Sequence, residues 1–266
     1  MSAIYLTEIR VYPIKSMGGV RLARAAVTDA GSLALDREWV MVDAAGHKLW
    51  QGDLPKMALT RCGLDEEAIT VTLPGMPDLA IPRDHGGLPA VVTMYGQEFD
   101  GVDAGETVAE WLGDAFGRHA RLVRIGASAH TWPGLNPVHV VSRNSLAALN
   151  TALAEQGDPP VEAERFRPGL VLEAEGEAPF FEERYAAIRF GDAELVFREP
   201  CVRCELPNIS REDAGRGRQP LKLIGGLSRG RPTAAPASFG IYAELRGAAE
   251  IAEGMMGEPV AVREIA

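Results

Sequence analysis

Pro200-Cys201-Val202-Arg203-Cys204 holds two of the three cysteines in 266 residues. A thiolate attacks electrophiles, exchanges with disulfides and binds soft metals, and cations beside a cysteine pair favour that form. Arg198 and Arg203 stand in the same short stretch. The residues leave several readings open. A structural zinc needs four protein ligands. The remaining cysteine is Cys62, and His47, His85, His119, His130 and His139 form no paired ligand motif. A dithiol redox pair normally opens a helix behind a strand, where the dipole lowers the thiol pKa. Here Pro207 follows at once, and Asn208-Ile209-Ser210 has no helical pattern. The plain alternative is two small apolar residues at a strand end.

Three other stretches carry cations at the ends of strand-like segments. Tyr12-Pro13-Ile14-Lys15-Ser16 offers an ammonium and a hydroxyl to an anion, although a lysine in a turn is commonly just solvated. Leu35-Asp36-Arg37-Glu38-Trp39 puts an arginine where a strand begins, with Asp36 as an equally good salt-bridge partner. Arg165-Phe166-Arg167-Pro168 flanks an aromatic with two guanidiniums, whose planar fork suits phosphate or carboxylate.

The elements that must position these groups are mostly strands. Ile4, Leu6, Ile9 and Val11 put apolar side chains on one face with one slip in the period. Trp39-Val40-Met41-Val42, Ala44-Ala45-Gly46 and Lys48-Leu49-Trp50 read as a hairpin. Ile69–Leu73, Ala90–Tyr95, Arg121–Ile125, Val138–Val141, Leu170–Leu172, Ala187–Phe190, Ala193–Phe197, Phe239–Ala243 and Pro259–Val262 are further strand candidates. A helix is expected over Thr107–Phe116, opened by a capping box at Thr107 and Glu110. A second follows Ser142, a good N-cap, and carries Leu146, Leu149 and Leu153. Ala127–Asn136, Arg211–Arg218 and Ser228–Ala237 read as loops. Strands separated by turns argue for barrel architecture and against a doubly wound parallel sheet.

Bulk numbers narrow the class. A chain 46% hydrophobic and 24% charged is globular, and its length supports a core without disulfide staples. The net charge of −10 argues against coating nucleic acid or an anionic membrane, yet leaves room for a small basic pocket. An odd cysteine count fits a reducing compartment. Met1-Ser2-Ala3-Ile4-Tyr5 lacks a signal-peptide pattern. No stretch approaches the ~20 apolar residues that span a bilayer. A cytoplasmic protein with neither nucleic-acid nor membrane partner is expected.

Taken in order, Tyr-Pro-Ile-Lys-Ser at 12–16, Leu-Asp-Arg-Glu-Trp at 35–39, Gln51 with Leu54-Pro55-Lys56-Met57, Pro137–Ser142 with Ser145-Leu146, Phe166-Arg167-Pro168, Pro200–Cys204 and Phe239-Gly240-Ile241-Tyr242 make a specific signal. The chain resembles the MOSC-domain family with its MOSC N-terminal β-barrel region, which includes bacterial hydroxylaminopurine-resistance enzymes and the mitochondrial amidoxime-reducing component. The resemblance implies a mainly β fold with some helix (α+β), a MOSC-type β-barrel core (104–266) packed with an N-terminal β-barrel-like module (1–103). It implies a molybdenum cofactor (Mo-molybdopterin), readily lost from an isolated preparation, with Cys204 as the catalytic residue and metal ligand. Cofactor contacts carried over are Lys15, Ser16, Arg37, Gly134, Leu135, Asn136, Arg167, Val202, Arg203, Cys204 and Tyr242. The implied reaction is reduction of small N-hydroxylated compounds. Three cysteines cannot hold a four-cysteine iron–sulfur cluster, so a separate electron-transfer partner is expected. The alternative is a sulfur carrier or cofactor-transfer protein with a persulfide or ligand site at Cys204. A cofactor-free β-barrel binding module is the blandest reading. Three departures bear on the pocket. Gly52-Asp53 replaces the family's arginine in the Gln51 segment, Gly169 stands where relatives often carry asparagine, and Glu205-Leu206-Pro207-Asn208 takes the place of the threonine-rich stretch that follows the ligand cysteine in the mitochondrial relatives.

Overall fold

The computed structural model describes residues 3–130, 138–229, 231 and 235–262. Strands β1 (Ile4–Val11), β2 (Val20–Leu22), β3 (Arg24–Ala26), β4 (Trp39–Val42), β5 (Arg61–Leu64), β6 (Ala68–Thr72), β7 (Leu79–Pro82), β8 (Pro89–Met94) and β9 (Gln97–Asp103) precede helix α1 (Glu106–Phe116). Then come β10 (Arg121–Arg124), β11 (Val138–Ser142), α2 (Arg143–Glu155), β12 (Leu170–Ala174), β13 (Tyr185–Phe190) and β14 (Ala193–Val202). The described chain ends with α3 (Leu221–Ser228), β15 (Ser238–Arg246), β16 (Glu250–Ala252) and β17 (Met256–Val262).

Seven strands close into a barrel in the order β1-β12-β11-β15-β14-β13-β17, with β17 returning to β1. Closure leaves no unpaired edge to template aggregation. One pair, β11 with β12, is parallel, and α2 makes the crossover between them. The barrel encloses Ile4, Leu6, Ile9 and Val11 with Val140, Leu170, Leu172, Ile188, Leu195 and Ile241. The slip in the β1 apolar period is a bulge, because its register against β12 shifts between Leu6 and Glu8. Thus β1, from the segment read as 1–103, completes a barrel whose other strands all follow residue 137.

The sheets β4-β10-β9-β8 and β5-β6-β7 form a half-barrel. Its apolar face packs Trp39, Met41, Ile69, Val71 and Ile81 against Trp111, Leu112 and Ala115 of α1. Three local expectations change and one holds. Gly105, at φ 94°, caps α1, so Thr107 lies inside the first turn and the capping box is not formed. Ser142 does cap α2, its Oγ accepting from the Ser145 N–H at 3.0 Å. In the Trp39–Trp50 hairpin, Val42 bridges Lys48, but the second limb forms no full strand. Helix α3, absent from the periodicity reading, forms because Ile224 finds an apolar bed with Leu149, Leu153 and Phe239.

Candidate functional site

Backbone hydrogen bonds bring the first two cationic stretches together. The Lys15 N–H donates to the Trp39 carbonyl (2.8 Å), the Trp39 N–H to Pro13 (3.0 Å) and the Arg37 N–H to Tyr12 (2.8 Å). The Asp36 carboxylate accepts the Tyr12 N–H at 2.8 Å. The third stretch joins through side chains. Arg37 Nη2 donates to the Arg167 carbonyl at 3.0 Å, and Arg167 Nη1 donates to the Met17 carbonyl. Both guanidiniums face the buried Tyr12 ring, Arg167 at 4.2 Å and Arg37 at 5.3 Å from its centroid. Ser16, Arg37 and Arg167 all adopt positive φ (69°, 59° and 56°). Non-glycine residues reach that region at a cost, and such conformations gather where side chains must be aimed.

These groups line one cavity of about 350 Å³ with Cys204, Arg203, Tyr242, His139, Phe166, Leu206, Lys48, Trp50 and Tyr95. Five of its described lining residues are cationic and none is Asp or Glu. On a chain of net charge −10 that concentration is local and specific. Burial, reinforced by Arg37 and Arg167, pushes the Lys15 ammonium down to about 8. Burial also lowers Arg167 to about 10, with Tyr12 opposing and Arg37 reinforcing. At Arg37 burial acts downward as well, but the ion-paired Asp36 outweighs it and the guanidinium is held above its usual range. The two readings of Asp36-Arg37 are therefore compatible, a salt bridge and a cavity cation at once. Arg167 Nη2 and Arg203 Nε are buried without a hydrogen-bond partner among the described residues. A buried donor left unpaired is costly. Donors of this kind suit an anion that carries several acceptor oxygens.

The two cysteines divide their labour. β14 runs past Phe197 to Val202, and its register slips on either side of Pro200 as it passes β15. Cys201 is 2% exposed. Arg203 Nη1 donates to its sulfur (2.8 Å), lies 3.3 Å from His139 Nε2, and Nη2 donates to the Phe166 carbonyl (2.8 Å). Burial alone pushes the Cys201 thiol up, but Arg203, His139 and the Tyr242 hydroxyl outweigh it and hold it below the ordinary thiol range. Burial and the adjoining Cys201 push Tyr242 up. Cys204, by contrast, is exposed, lines the cavity and acts electrostatically on Lys15 and Tyr95. Arg198, expected beside the thiols, instead pairs with Glu244 at 2.6 Å.

Lys15, Ser16, Arg37, Arg167, Arg203, Cys204 and Tyr242 are thus brought together. Val202 is not, since its side chain is 57% exposed and outside the lining. Gly134, Leu135 and Asn136 lie outside the described residues. His139, at 4% exposure, is buried in β11 beside Arg203 at the cavity wall. At Gly169 a Cβ would press to 3.2 Å from Val138 and 3.3 Å from Leu33, so an asparagine there needs the neighbours to yield. Sequence reasoning missed Lys48, Trp50 and Tyr95 as site residues. Tyr95-Gly96, a two-residue hairpin turn with tyrosine where asparagine is favoured, was the available signal.

The donor set fits a sulfur-ligated metal on an anionic organic carrier. Among the described residues no three His, Cys, Asp or Glu side chains converge as ligands. A metal held by Cys204 would therefore take its other ligands from a bound molecule, whose anionic end the orphaned guanidiniums suit.

The chain belongs to the MOSC-domain family, with the MOSC N-terminal beta barrel domain matching residues 3–119 and the MOSC domain residues 127–256. It is 28% identical over 262 residues to a molybdenum cofactor sulfurase of Oryza sativa subsp. japonica, covering 86% of this chain and 31% of that protein. Mitochondrial amidoxime reducing component 2 of Rattus norvegicus is 26% identical over 229 residues, covering 77% of this chain and 66% of the rat protein. A molybdenum cofactor sulfurase of Drosophila melanogaster is 26% identical over 250 residues, covering 89% and 31%. The chain spans about a third of the sulfurases and about two thirds of the rat protein. No helix among the described residues is long and apolar enough to cross a membrane.

Proposed function

We propose that this chain binds a molybdenum cofactor in the Cys204 cavity and reduces small N-hydroxylated compounds. The observation that carries the reading is convergence. An exposed cysteine and five cations share one cavity that no carboxylate among the described residues lines. Cys204 would give its thiolate to the metal, a soft donor for a centre already bound to sulfur. Lys15, Ser16, Arg37 and Arg167 would hold the anionic tail by charge-assisted hydrogen bonds. Arg203, pinned on Cys201 and the Phe166 carbonyl, fixes the backbone beside the ligand cysteine. When bound, the molybdenum cofactor supplies the two-electron centre at which an N–OH bond is cleaved. The balance is N–OH plus two electrons and two protons to N–H plus water. The two electrons come from an external reductant.

Protein made in a cofactor-competent host is expected to carry about one molybdenum and one pterin per chain, and with a chemical reductant to reduce benzamidoxime. Cys204→Ser is expected to lower turnover by ~10² or more, as loss of a metal ligand does. Full turnover in that variant would overturn the assignment. A persulfide on Cys204 in protein lacking pterin would favour the sulfur-carrier alternative.

A further inference from the structure

The floor of the cavity accounts for Lys15, Arg37 and Arg167 and leaves Lys48, Trp50 and Tyr95 without a task. Their placement is costly for folding alone. Tyr95 and Gly96 turn the β8–β9 hairpin with φ of 55° and 78°. That turn takes asparagine or glycine cheaply and tyrosine at a penalty. Nor is Tyr95 there to fill a core, for it is 48% exposed. Trp50 depends on its neighbour, because a Cβ at Gly52 would lie 2.2 Å from the indole Cζ2. A side chain at 52 would displace the ring from the cavity wall. Between the two aromatics stands Lys48, its Nζ 4.9 Å from the Tyr95 centroid and 5.5 Å from that of Trp50. It has no carboxylate partner among the described residues. Lys15 lies 5.2 Å from the same Tyr95 ring, so one tyrosine links the floor cations to the mouth.

Two aromatic faces and a free ammonium are the elements that bind a flat ring carrying a negative charge. We propose that Lys48, Trp50 and Tyr95 form a second anion subsite at the mouth. It takes a planar, conjugated N-hydroxylated substrate bearing a carboxylate or phosphate at the end away from its N–OH. This rests on the reading that the reduction occurs beside Cys204. The same anion chemistry has a second source, the distal phosphate of a nucleotide form of the cofactor. The half-exposed mouth favours a ligand that must enter and leave.

The test pairs benzamidoxime with 4-carboxybenzamidoxime on the cofactor-loaded protein. A half-exposed ion pair is expected to favour the carboxylated member by about fivefold in kcat/KM. Lys48→Gln is expected to remove the preference and Lys48→Glu to reverse it. Quenching of tryptophan fluorescence by the two compounds, with Trp50→Phe as control, reports binding without turnover. Reduction of both compounds with no preference in the wild type, or a preference unchanged in Lys48→Gln, overturns the subsite and leaves the reduction reading intact. Lys48-dependent binding of the carboxylate without reduction of either compound overturns the reaction and keeps the subsite. If Lys48→Gln instead lowers pterin content per chain while the substrate ratio is unchanged, the anion belongs to the cofactor and the substrate assignment falls.

Discussion

The floor and the rim of the cavity are built differently. Floor residues come from three stretches bonded to one another, Lys15 to Trp39, Arg37 to Tyr12 and Arg37 to the Arg167 carbonyl. The rim is carried by the half-barrel, where the Thr93 N–H donates to Gly46 and the Lys48 N–H to Thr93. The two meet at Trp39, the first residue of β4. The floor's strained, mutually fixed arginines leave little latitude and suit a constant ligand. Of the rim side chains, Tyr95 stands on a turn and Lys48 and Trp50 on a short limb held by one bridge, where substitution disturbs less of the fold. On the proposed function, this separates cofactor binding from the choice of substrate.

Three measurements press on that contrast. The largest effect is expected at Arg167. Replacing it with alanine removes a cation from the floor and the donor to the Met17 carbonyl. Inorganic phosphate should bind the cofactor-free variant at least ~10-fold more weakly, as loss of a charge-assisted bond predicts. Unchanged affinity by calorimetry would remove the floor as an anion site.

Next comes pH. Lys15 in the folded chain is lowered to about 8 from 10.5. It is therefore fully charged only below about 8, whereas a phosphate monoester is already dianionic above about pH 6. Phosphate affinity should fall as pH rises through 8. Between about 8 and 10.5 the unfolded chain binds the extra proton, so unfolding becomes less favourable as pH rises. The contribution of Lys15 to the stability of the cofactor-free protein should therefore increase across the interval in which binding weakens. Lys15→Met should abolish both trends. Thermal midpoints and phosphate titrations measured across that range, on wild type and variant, check the opposition. A Lys15-dependent change of the same sign in both quantities would contradict it.

The smallest effect belongs to the rim. Tyr95→Asn suits the left-handed turn position and should stabilise the chain by about 0.5–1 kcal/mol in chemical denaturation. Destabilisation would mean that the ring's contacts with Lys15 and Lys48 outweigh the backbone cost.

What the sequence disclosed follows the same division. Lys15, Arg37, Arg167 and Cys204 sit in compact motifs beside strand ends, so residue type and neighbours pointed to them. The half-barrel residues Lys48, Trp50 and Tyr95 belong to none of the cationic motifs; Trp50 adjoins Gln51, but only tertiary pairing brings the three to the cavity. Barrel architecture was legible from short alternating strands and turns. Helix α3 was not, because eight residues with two glycines carry little helical signal and tertiary packing decides. The capping box failed for a local reason. Gly105 reached a backbone conformation that let the helix begin one residue early. Arg198 was misassigned because Glu244, on the neighbouring strand β15 opposite Val196, is invisible to a linear reading.

The pairing of β1 governs how the molecule can be made and divided. Ile4 is bonded opposite Ala174 and Gly257, so a growing polypeptide holds an apolar strand idle until most of its length has left the ribosome. Expression of residues 104–266 alone would expose the flanks of β12 and β17 that β1 normally covers. Such a fragment would be prone to clump. Supplying the first strand as a separate peptide is then a direct way to ask whether the cavity can be assembled from pieces.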